Sequence, residues 1–193
     1  MNIRRILPFA ASLLIAVGAS GQDAEITVYK TYGDLTAKSG QDFEHYRGYS
    51  HTMGAVTLIL DDHGDKVKIK CADFWGFRYK DALFRVDKRF DQPAKLISKG
   101  RMCYYENGPA HLAMMRDSSD TGDFSIGAYC YVSLDLEDEL WQFSGTKKDA
   151  KKAREHFAEK GSLYGAYFDC VESTNSVTIH RECIGEFEKN NAE

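Results

Sequence analysis

Residues 70–90 read KCADFWGFRYKDALFRVDKRF, and this aromatic and basic stretch predicts a β-hairpin. Successive side chains of a strand point to opposite faces, so Trp75, Phe77 and Tyr79 are expected to share one face. A tight turn and a returning strand over residues 80–86 then complete the hairpin. Aromatic and β-branched side chains suit such a half-buried surface, and cross-strand aromatic pairs stabilise it by about 0.2–1 kcal/mol each.

The same stretch contains the candidate binding residues. An exposed surface that mixes aromatic and basic side chains is a common kind of interaction site. In this interpretation the binding residues are Trp75, Arg78, Tyr79, Lys80 and Arg85. In the alternative interpretation the aromatic side chains lie in the core and the cations form the solvated side of the sheet. The sequence leaves both interpretations open.

Alternating patterns continue on both sides of this hairpin. Upstream, residues 55–71 predict a second hairpin, in which Val67, Ile69 and Cys71 share the buried face and three lysines face water. The polar residues 39–47 are expected to form a loop. Downstream, strands are expected at residues 95–97, 101–105, 110–116, 124–136 and 140–143, with a turn at residues 106–109.

Helical patterns lie mainly at the carboxyl end of the chain. Thr146 and Asp149 form a capping box, and the helix that starts there is expected to stop at Gly161. Residues 163–171 repeat their apolar side chains at helical spacing, and the tail from Val177 suits a last helix.

The expected fold class is therefore α+β, with a mainly antiparallel, meander-like sheet and C-terminal helices. Residues 1–21 are expected to be a signal peptide. Residues 22–145 are expected to form a β-rich region with a short helix at residues 32–39. Residues 146–193 are expected to form a helical region that packs on the same domain.

The first residues predict export. Arg4 and Arg5 precede an apolar run over residues 6–19, and the small residues that follow suit cleavage after Gly21. The apolar run is too short for a comfortable membrane span, and no other stretch approaches that length, so the mature chain is not expected to be transmembrane. The expected route is the Sec pathway, and the expected location is the periplasm or the medium.

The charge distribution excludes one class of partner. The chain of 193 residues has a net charge of −4, which becomes −6 when the signal peptide and its two arginines are removed. Proteins that bind nucleic acid usually carry an excess of Lys and Arg, so no nucleic acid is expected as a partner. Residues 66–90 nevertheless form a basic island, with eight Lys or Arg against three Asp.

The cysteine content suits an exported protein with at least one disulfide. Some of the five cysteines, at positions 71, 103, 130, 170 and 183, are expected to pair, and their odd number leaves at least one thiol free. Cys170 and Cys183 are the preferred pair, because their bond would staple two C-terminal helices and stabilise the fold by about 3 kcal/mol. No two cysteines have the spacing of a metal knuckle.

No sequence motif identifies catalytic residues. The chain has no G-x-S-x-G elbow, and its six histidines, at positions 45, 51, 63, 111, 156 and 180, never have the spacing of H-E-x-x-H. The acidic segments at residues 61–65 and 117–123 miss the spacing of an EF-hand and suit solvated turns. The catalytic residues stay unknown, and neither a metal nor a cofactor is expected.

Two segments carry a resemblance. Besides the signal sequence, YKTYGD at residues 29–34 and DFWGFRYKDALFR at residues 73–85 resemble secreted β-rich proteins of Bacteroidota-type bacteria. The resemblance implies an exported bacterial β-rich protein and no particular activity.

These observations favour an exported, non-catalytic protein that acts as a binding or structural module for an unknown envelope or extracellular partner. The alternative is a secreted hydrolase whose site is assembled from dispersed His and Asp residues, such as His51 or His111 with a nearby Asp. A cleft that holds a histidine within hydrogen-bond reach of a carboxylate would favour the hydrolase. A third hypothesis gives an unpaired cysteine a thiol-dependent role.

Overall fold

The fold is α+β, as the sequence predicts. The computed structural model describes residues 24–53, 55–114, 129–144, 146–172 and 176–191. The strands are β1 (Ile26–Tyr29), β2 (Gln41–Phe43), β3 (His45–Thr52), β4 (Ala55–Asp62), β5 (Asp65–Lys70), β6 (Gly76–Tyr79), β7 (Ala82–Asp87), β8 (Gln92–Lys99), β9 (Cys103–Asn107), β10 (Cys130–Ser133) and β11 (Trp141–Gln142). The helices are α1 (Tyr32–Ala37), α2 (Gly108–Met114), α3 (Lys147–Lys160), α4 (Gly165–Val171) and α5 (Val177–Asn190). No helix in these ranges has the length and apolar character needed to cross a bilayer.

The strands form two antiparallel sheets. The larger sheet has the order β11-β10-β9-β8-β7-β6-β1-β2, so β6 to β11 lie side by side in chain order and form the expected meander. The smaller sheet has the order β3-β4-β5. The chain crosses between the sheets at Glu44, whose N–H donates to the carbonyl oxygen of Asp61 and whose carbonyl oxygen accepts from Glu25. Residues 39–47 therefore contribute to β2 and β3, and the loop expected there is wrong.

One face of the larger sheet is covered in two halves. The smaller sheet covers the first half, where Phe77 and Phe84 stack at 4.7 Å and pack in one cluster with Leu58 and Leu60. Helices α3, α4 and α5 cover the second half, where their apolar side chains pack on Tyr104 and its neighbours. The opposite face carries a third cluster, which contains side chains of β7 to β10 and is joined by α1 and by the chain after β10.

The helix ends follow the local signals in the sequence. At α3, the backbone N–H of Asp149 donates to the hydroxyl oxygen of Thr146 at 3.1 Å, and the helix ends at Gly161, as expected. A reciprocal capping box also begins α1, between Thr31 and Asp34. These caps satisfy backbone N–H groups that have no partner within the first helical turn.

The sequence prediction fails after β9. Glu106 and Asn107 belong to β9, and the next seven residues form α2, so the turn expected at residues 106–109 and the strand expected from residue 110 are wrong. Pro109 lies in the first turn of α2, where its missing N–H has no cost. A short apolar run has too few periods to distinguish a strand from a helix.

The structure has only a short strand, β10, in the described part of the long strand expected over residues 124–136. Residues 124–128 lie outside the described ranges, and β10 spans four residues. Beyond β10 the carboxylate of Asp135 accepts the backbone N–H groups of Glu137 and Asp138, both at 2.8 Å, so the chain turns. The next expected strand is confirmed as β11, which pairs back on β10.

The hairpin of β6 and β7 is confirmed, but its expected alternation fails at Trp75. Phe77 and Tyr79 are buried between the two sheets, whereas Trp75 lies against Arg85 on the opposite face. The backbone N–H of Trp75 donates to the carbonyl oxygen of Tyr29 at 2.9 Å. Trp75 lies just before β6, so its side chain does not have to follow the alternation of that strand.

Gly76 permits a close approach of β6 and β7. A Cβ atom at this position would lie well inside van der Waals contact with the carbonyl oxygen of Phe84 on the neighbouring strand. We expect Gly76→Ala to lower the free energy of unfolding by about 1–3 kcal/mol, because the backbones must separate. Urea denaturation measures this change. Gly185→Ala is the control, since nothing lies within 4 Å of its added Cβ and alanine favours a helix; equal stability of the two variants would contradict the prediction.

The structure pairs Cys170 with Cys183, the pair that the sequence favoured, with their Cα atoms 5.9 Å apart. The bond joins α4 to α5. The other three cysteines, Cys71, Cys103 and Cys130, are free and buried.

Candidate functional site

The five candidate binding residues do not form one exposed surface. Arg78 and Lys80 are exposed at the tip of the β6–β7 hairpin, and Trp75 is half-buried. Tyr79 is 3% exposed because its face of β6 packs against the smaller sheet. Arg85 is 5% exposed because aromatic rings cover its guanidinium group. The expectation of one exposed aromatic and basic surface is therefore wrong for Tyr79 and Arg85.

Part of the basic island supports the fold. The ammonium group of Lys88 donates to the carbonyl oxygens of Cys71 and Ala72 at 3.2 and 2.8 Å. Arg89 forms a two-point ion pair with Asp87, through Nε at 3.0 Å and Nη2 at 2.9 Å. The cations of the island that stay exposed and distant from these contacts are Lys66, Lys68 and Lys70 on β5, and Arg78 and Lys80 at the hairpin tip.

A cleft of about 710 Å³ opens beside the β6–β7 turn. Strand β7 pairs with β8 only as far as Lys95, so the following residues of β8 have no partner on that side. Strand β8 also has a register irregularity against β9 between Leu96 and Ser98. The space left between the hairpin tip and β8 is the cleft, and its cationic rim is formed by Arg78, Lys80, Lys95 and Lys99.

The rim carries more positive charge than its neighbours neutralise. Asp81 is the one acidic side chain among the residues that line the cleft. The ammonium group of Lys80 lies 3.4 Å from the carboxylate of Glu25. Within the described ranges, the other three rim cations make no ion pair. Arg78, Lys80 and Lys99 are exposed and Lys95 is half-buried, and each charge by itself contributes little to stability. Together, four cations that line one cleft attract an anion.

The floor of the cleft is apolar. It is formed by Leu83, Leu96, Ile97 and Leu136, which come from β7, β8 and the turn after β10. A ligand in this cleft therefore meets aliphatic side chains below and cations at the rim.

The sequence identified one side of this cleft and missed the other. Arg78, Tyr79 and Lys80, three of the five candidate residues, all line it. Lys95 and Lys99 were not identified, because they lie more than a dozen residues away in the chain and only the sheet brings them close. The sequence offers one signal for them: Lys95 lies in the strand expected at residues 95–97, and Lys99 follows that strand by two residues.

A second cluster lies between the larger sheet and the helices α2 and α5, where Glu106 and His111 are buried and Arg181 is half exposed. The carboxylate of Glu106 accepts hydrogen bonds from Arg181 at 2.6 Å through Nε and 2.6 Å through Nη2. Its Oε2 also lies 2.8 Å from Nε2 of His111. Burial by itself raises the pKa of Glu106, but the hydrogen bonds from Arg181 and then His111 outweigh it and lower the pKa to about 2. The carboxylate is therefore charged and fully engaged.

A cysteine and a histidine meet next to this cluster. Nδ1 of His180 lies 3.1 Å from Sγ of Cys130, and the hydroxyl group of Tyr104 donates to the same sulfur at 3.3 Å. Burial raises the pKa of Cys130 to about 11. The sulfur is therefore a neutral thiol at physiological pH, and a neutral thiol is a poor nucleophile.

The remaining histidines are dispersed. His45, His51 and His63 are exposed on the smaller sheet, and His156 of α3 stacks on Trp141 at 4.3 Å. In the parts of the chain that the structure describes, no three His, Cys, Asp or Glu side chains are placed to hold a metal ion. The acidic segment at residues 117–123 lies outside those parts.

The acidic turn at residues 61–65 is explained by its contacts. Asp61 forms an ion pair with Arg47, and Asp62 pairs with Asp65 across the end of the β4–β5 hairpin. His63 and Gly64 occupy the turn with positive φ values, as two-residue hairpin turns require. The segment is therefore a hairpin turn.

The chemistry of the cleft follows from its side chains. Guanidinium and ammonium groups bind carboxylates, phosphates and sulfates through charge-assisted hydrogen bonds. The aliphatic floor offers contact to the apolar part of a larger molecule. No protein-family model, no curated protein and no solved structure matches this chain, so its own side chains are the evidence for its function.

Proposed function

We propose that this protein is an exported, non-catalytic binding module of the envelope or the secreted fraction, and that the cleft binds an anionic ligand. The observation that carries the proposal is the rim of four cations with a single acidic neighbour in the lining. The amino-terminal export signal and the resemblance of residues 29–34 and 73–85 to secreted proteins of Bacteroidota-type bacteria support the location.

The negative net charge of the whole chain sets this cluster of rim cations apart from the rest of the protein. The protein carries a net negative charge, so a cluster of cations is not the result of a generally basic composition. Cations that lie close together repel each other, and most of this rim has no counter-ion among the described residues. A cluster of this kind gains free energy when an anion binds. An envelope or extracellular anion with an apolar part fits both the rim and the floor.

Removing the rim charges tests the proposal. At about 1 kcal/mol for each cation that meets an anionic surface, the triple variant Arg78→Gln/Lys95→Gln/Lys99→Gln is expected to bind dextran sulfate about a hundredfold more weakly. Isothermal titration calorimetry at constant salt measures the affinity. These three side chains make no ion pair in the described structure, so the variant should fold normally.

The matched control is Lys66→Gln/Lys68→Gln/Lys70→Gln, which removes the same charge from exposed positions of β5. We expect the control to bind within about twofold of the original protein, since β5 belongs to the smaller sheet and none of these lysines lines the cleft. Equal weakening in both variants would show a general charge effect and would contradict a specific site at the cleft.

One observation favours the hydrolase as a second candidate. His111 lies within hydrogen-bond reach of a carboxylate, that of Glu106, although the expected partner was an Asp. Arg181 already binds both oxygens of that carboxylate, and His111 is 9% exposed. These contacts indicate that His111 and Glu106 stabilise the fold rather than act as a general base. A screen against chromogenic acyl, phosphoryl and glycosyl substrates separates the two candidates. Turnover that disappears in His111→Asn would favour the hydrolase.

A further inference from the structure

The cleft lies in the plane of the larger sheet. Tyr79 and Ile97, which line it, pack into the clusters on the face that the smaller sheet and the helices cover. Leu83, Leu96 and Leu136, which also line it, belong to the cluster on the opposite face. A pocket on one face of a sheet is lined by side chains of that face, because side chains alternate between the faces along a strand. The cleft is therefore a gap between strands.

Strand β8 contributes an unpaired edge to this gap. Its pairing with β7 ends at Lys95, whereas its pairing with β9 continues to Lys99. Among the described residues, the last part of β8 therefore pairs on one side only. The irregularity between Leu96 and Ser98 places one extra residue in β8, and such a bulge bends the strand that carries it.

The backbone of Lys99 points into the gap. Lys99 lies opposite Cys103 on β9, and the N–H of the next residue, Gly100, donates to the carbonyl oxygen of Met102 at 3.3 Å. In an antiparallel ladder, hydrogen-bonded pairs alternate with pairs that are not hydrogen-bonded, so this bond places Lys99 and Cys103 in a pair without hydrogen bonds. The N–H and the carbonyl oxygen of Lys99 therefore point away from β9, and within the described ranges neither has a hydrogen-bond partner.

Cations flank the gap on both faces of the sheet. Arg78 is directly opposite Leu83 in the β6–β7 pair, so it lies on the same face as Leu83. Lys95 is directly opposite Phe84 in the β7–β8 pair, so it lies on the other face, where Phe84 packs. A strand in the plane of the sheet presents its side chains alternately to the two faces. Acidic side chains on such a strand therefore meet a cation on either face.

We propose that the ligand of the cleft is an extended acidic peptide, which adds a strand to the free edge of β8 between Lys95 and Lys99. This inference rests on the proposed function, because it names the class of anion that the same cleft binds. Addition of a strand to an exposed sheet edge is a recurring mode of peptide recognition, in which main-chain hydrogen bonds provide affinity and side-chain contacts provide specificity.

The charge and the backbone of the edge favour this occupant over two others. A second copy of this chain would bring the same lysines, and lysines on an edge discourage pairing between copies. An acidic strand has the complementary charge. An anionic polysaccharide also meets the cations, but it has no strand backbone to continue the sheet and to pair with Lys99.

The first test uses a fluorescent hexapeptide of alternating glutamate and valine, and fluorescence anisotropy at constant salt measures its affinity. Two modified peptides carry N-methyl groups on every valine or on every glutamate. Both keep all side chains and charges, but each lacks the N–H groups of one edge of the strand. We expect at least one of them to bind about tenfold more weakly than the unmodified peptide, because a methylated edge cannot donate to β8. Equal binding of all three peptides would overturn the inference.

The second test compares Lys99→Pro with Lys99→Gln. Both variants remove the charge, whereas only proline also removes the N–H that points into the gap. Lys99→Pro is expected to bind the unmodified peptide about tenfold more weakly than Lys99→Gln does, and the two variants are expected to bind dextran sulfate equally. Equal peptide binding by the two variants would contradict strand addition at Lys99.

The two probes separate this inference from the proposed function. If the original protein binds dextran sulfate but not the peptide, the proposed function is supported and the peptide is rejected. If it binds neither probe, both proposals fail.

Discussion

Replacing Glu106 with alanine is expected to lower the free energy of unfolding by about 2–3 kcal/mol, because His111 is left buried without its acceptor while the half-exposed Arg181 can bind water instead. Its carboxylate joins three elements, because it lies on β9 and binds His111 of α2 and Arg181 of α5. Loss of the carboxylate leaves the guanidinium group and the imidazole ring without their acceptor. Urea denaturation at neutral pH measures the change.

The pH dependence of stability provides a second readout of the same contact. The pKa of Glu106 in the folded protein is about 2, below its ordinary value of 4.5. The charged form therefore stabilises the fold fully above about pH 4.5, and this contribution is lost as the pH falls towards 2. A lowering of this size corresponds to about 3 kcal/mol. We expect Glu106→Gln to unfold with a much smaller dependence on pH over that range.

Glu155→Gln is the matched control for this prediction. Glu155 is exposed on α3 and lies 3.7 Å from Lys151, a pair of the i,i+4 kind. Such a pair contributes about 0.5 kcal/mol or less, so this variant should keep the stability and the pH profile of the original protein. An acid transition in Glu106→Gln as steep as that of the original protein would show that other carboxylates control acid unfolding.

Removing the disulfide is expected to cost about 3 kcal/mol, as is typical for a bond that closes a short loop. Cys170 and Cys183 are 13 residues apart, and their bond joins α4 to α5. In Cys170→Ala/Cys183→Ala the unfolded chain gains freedom, and α5 keeps its other attachments. Urea denaturation with and without dithiothreitol measures the effect.

Reduction provides the control for the alanine variant. The original protein is expected to lose the same stability when it is reduced, whereas Cys170→Ala/Cys183→Ala should not respond to dithiothreitol. Hydrogen exchange should locate the change in α5, which is also held by Glu188 through the backbone N–H groups of Arg101 and Met102 at 2.9 and 3.2 Å. An original protein that is equally stable with and without dithiothreitol would contradict the prediction.

Local patterns were sufficient where neighbours in the sequence are also neighbours in space. The hairpins of β4 with β5 and β6 with β7 are confirmed, because strand alternation and turn residues act over a few positions. The cap of α3 by Thr146 is confirmed for the same reason. The segment after β9 failed, because seven residues contain too few periods to separate a strand from a helix.

The candidate site could not be predicted in the same way, because its residues are far apart in the sequence. Strand order brings Lys95 and Lys99 to the hairpin tip of Arg78 and Lys80, and no pattern along the chain encodes that order directly. The sequence also assigned Arg85 to an exposed surface. Whether a cation is exposed depends on which side chains cover its face of the sheet. Trp75 lies on the face opposite to the expected one, and there its ring covers the guanidinium group of Arg85.

The sequence by itself determined the α+β class, the antiparallel hairpins, the capped helix α3 and the preferred disulfide, because each depends on periodicity, on capping residues or on short separation in the chain. The tertiary structure decided which cations face a common cleft, which one is buried without a counter-ion, and which carboxylate locks α2 and α5 to the sheet. These features arise from contacts between residues far apart in the chain, and such contacts form only when the sheets and helices pack together.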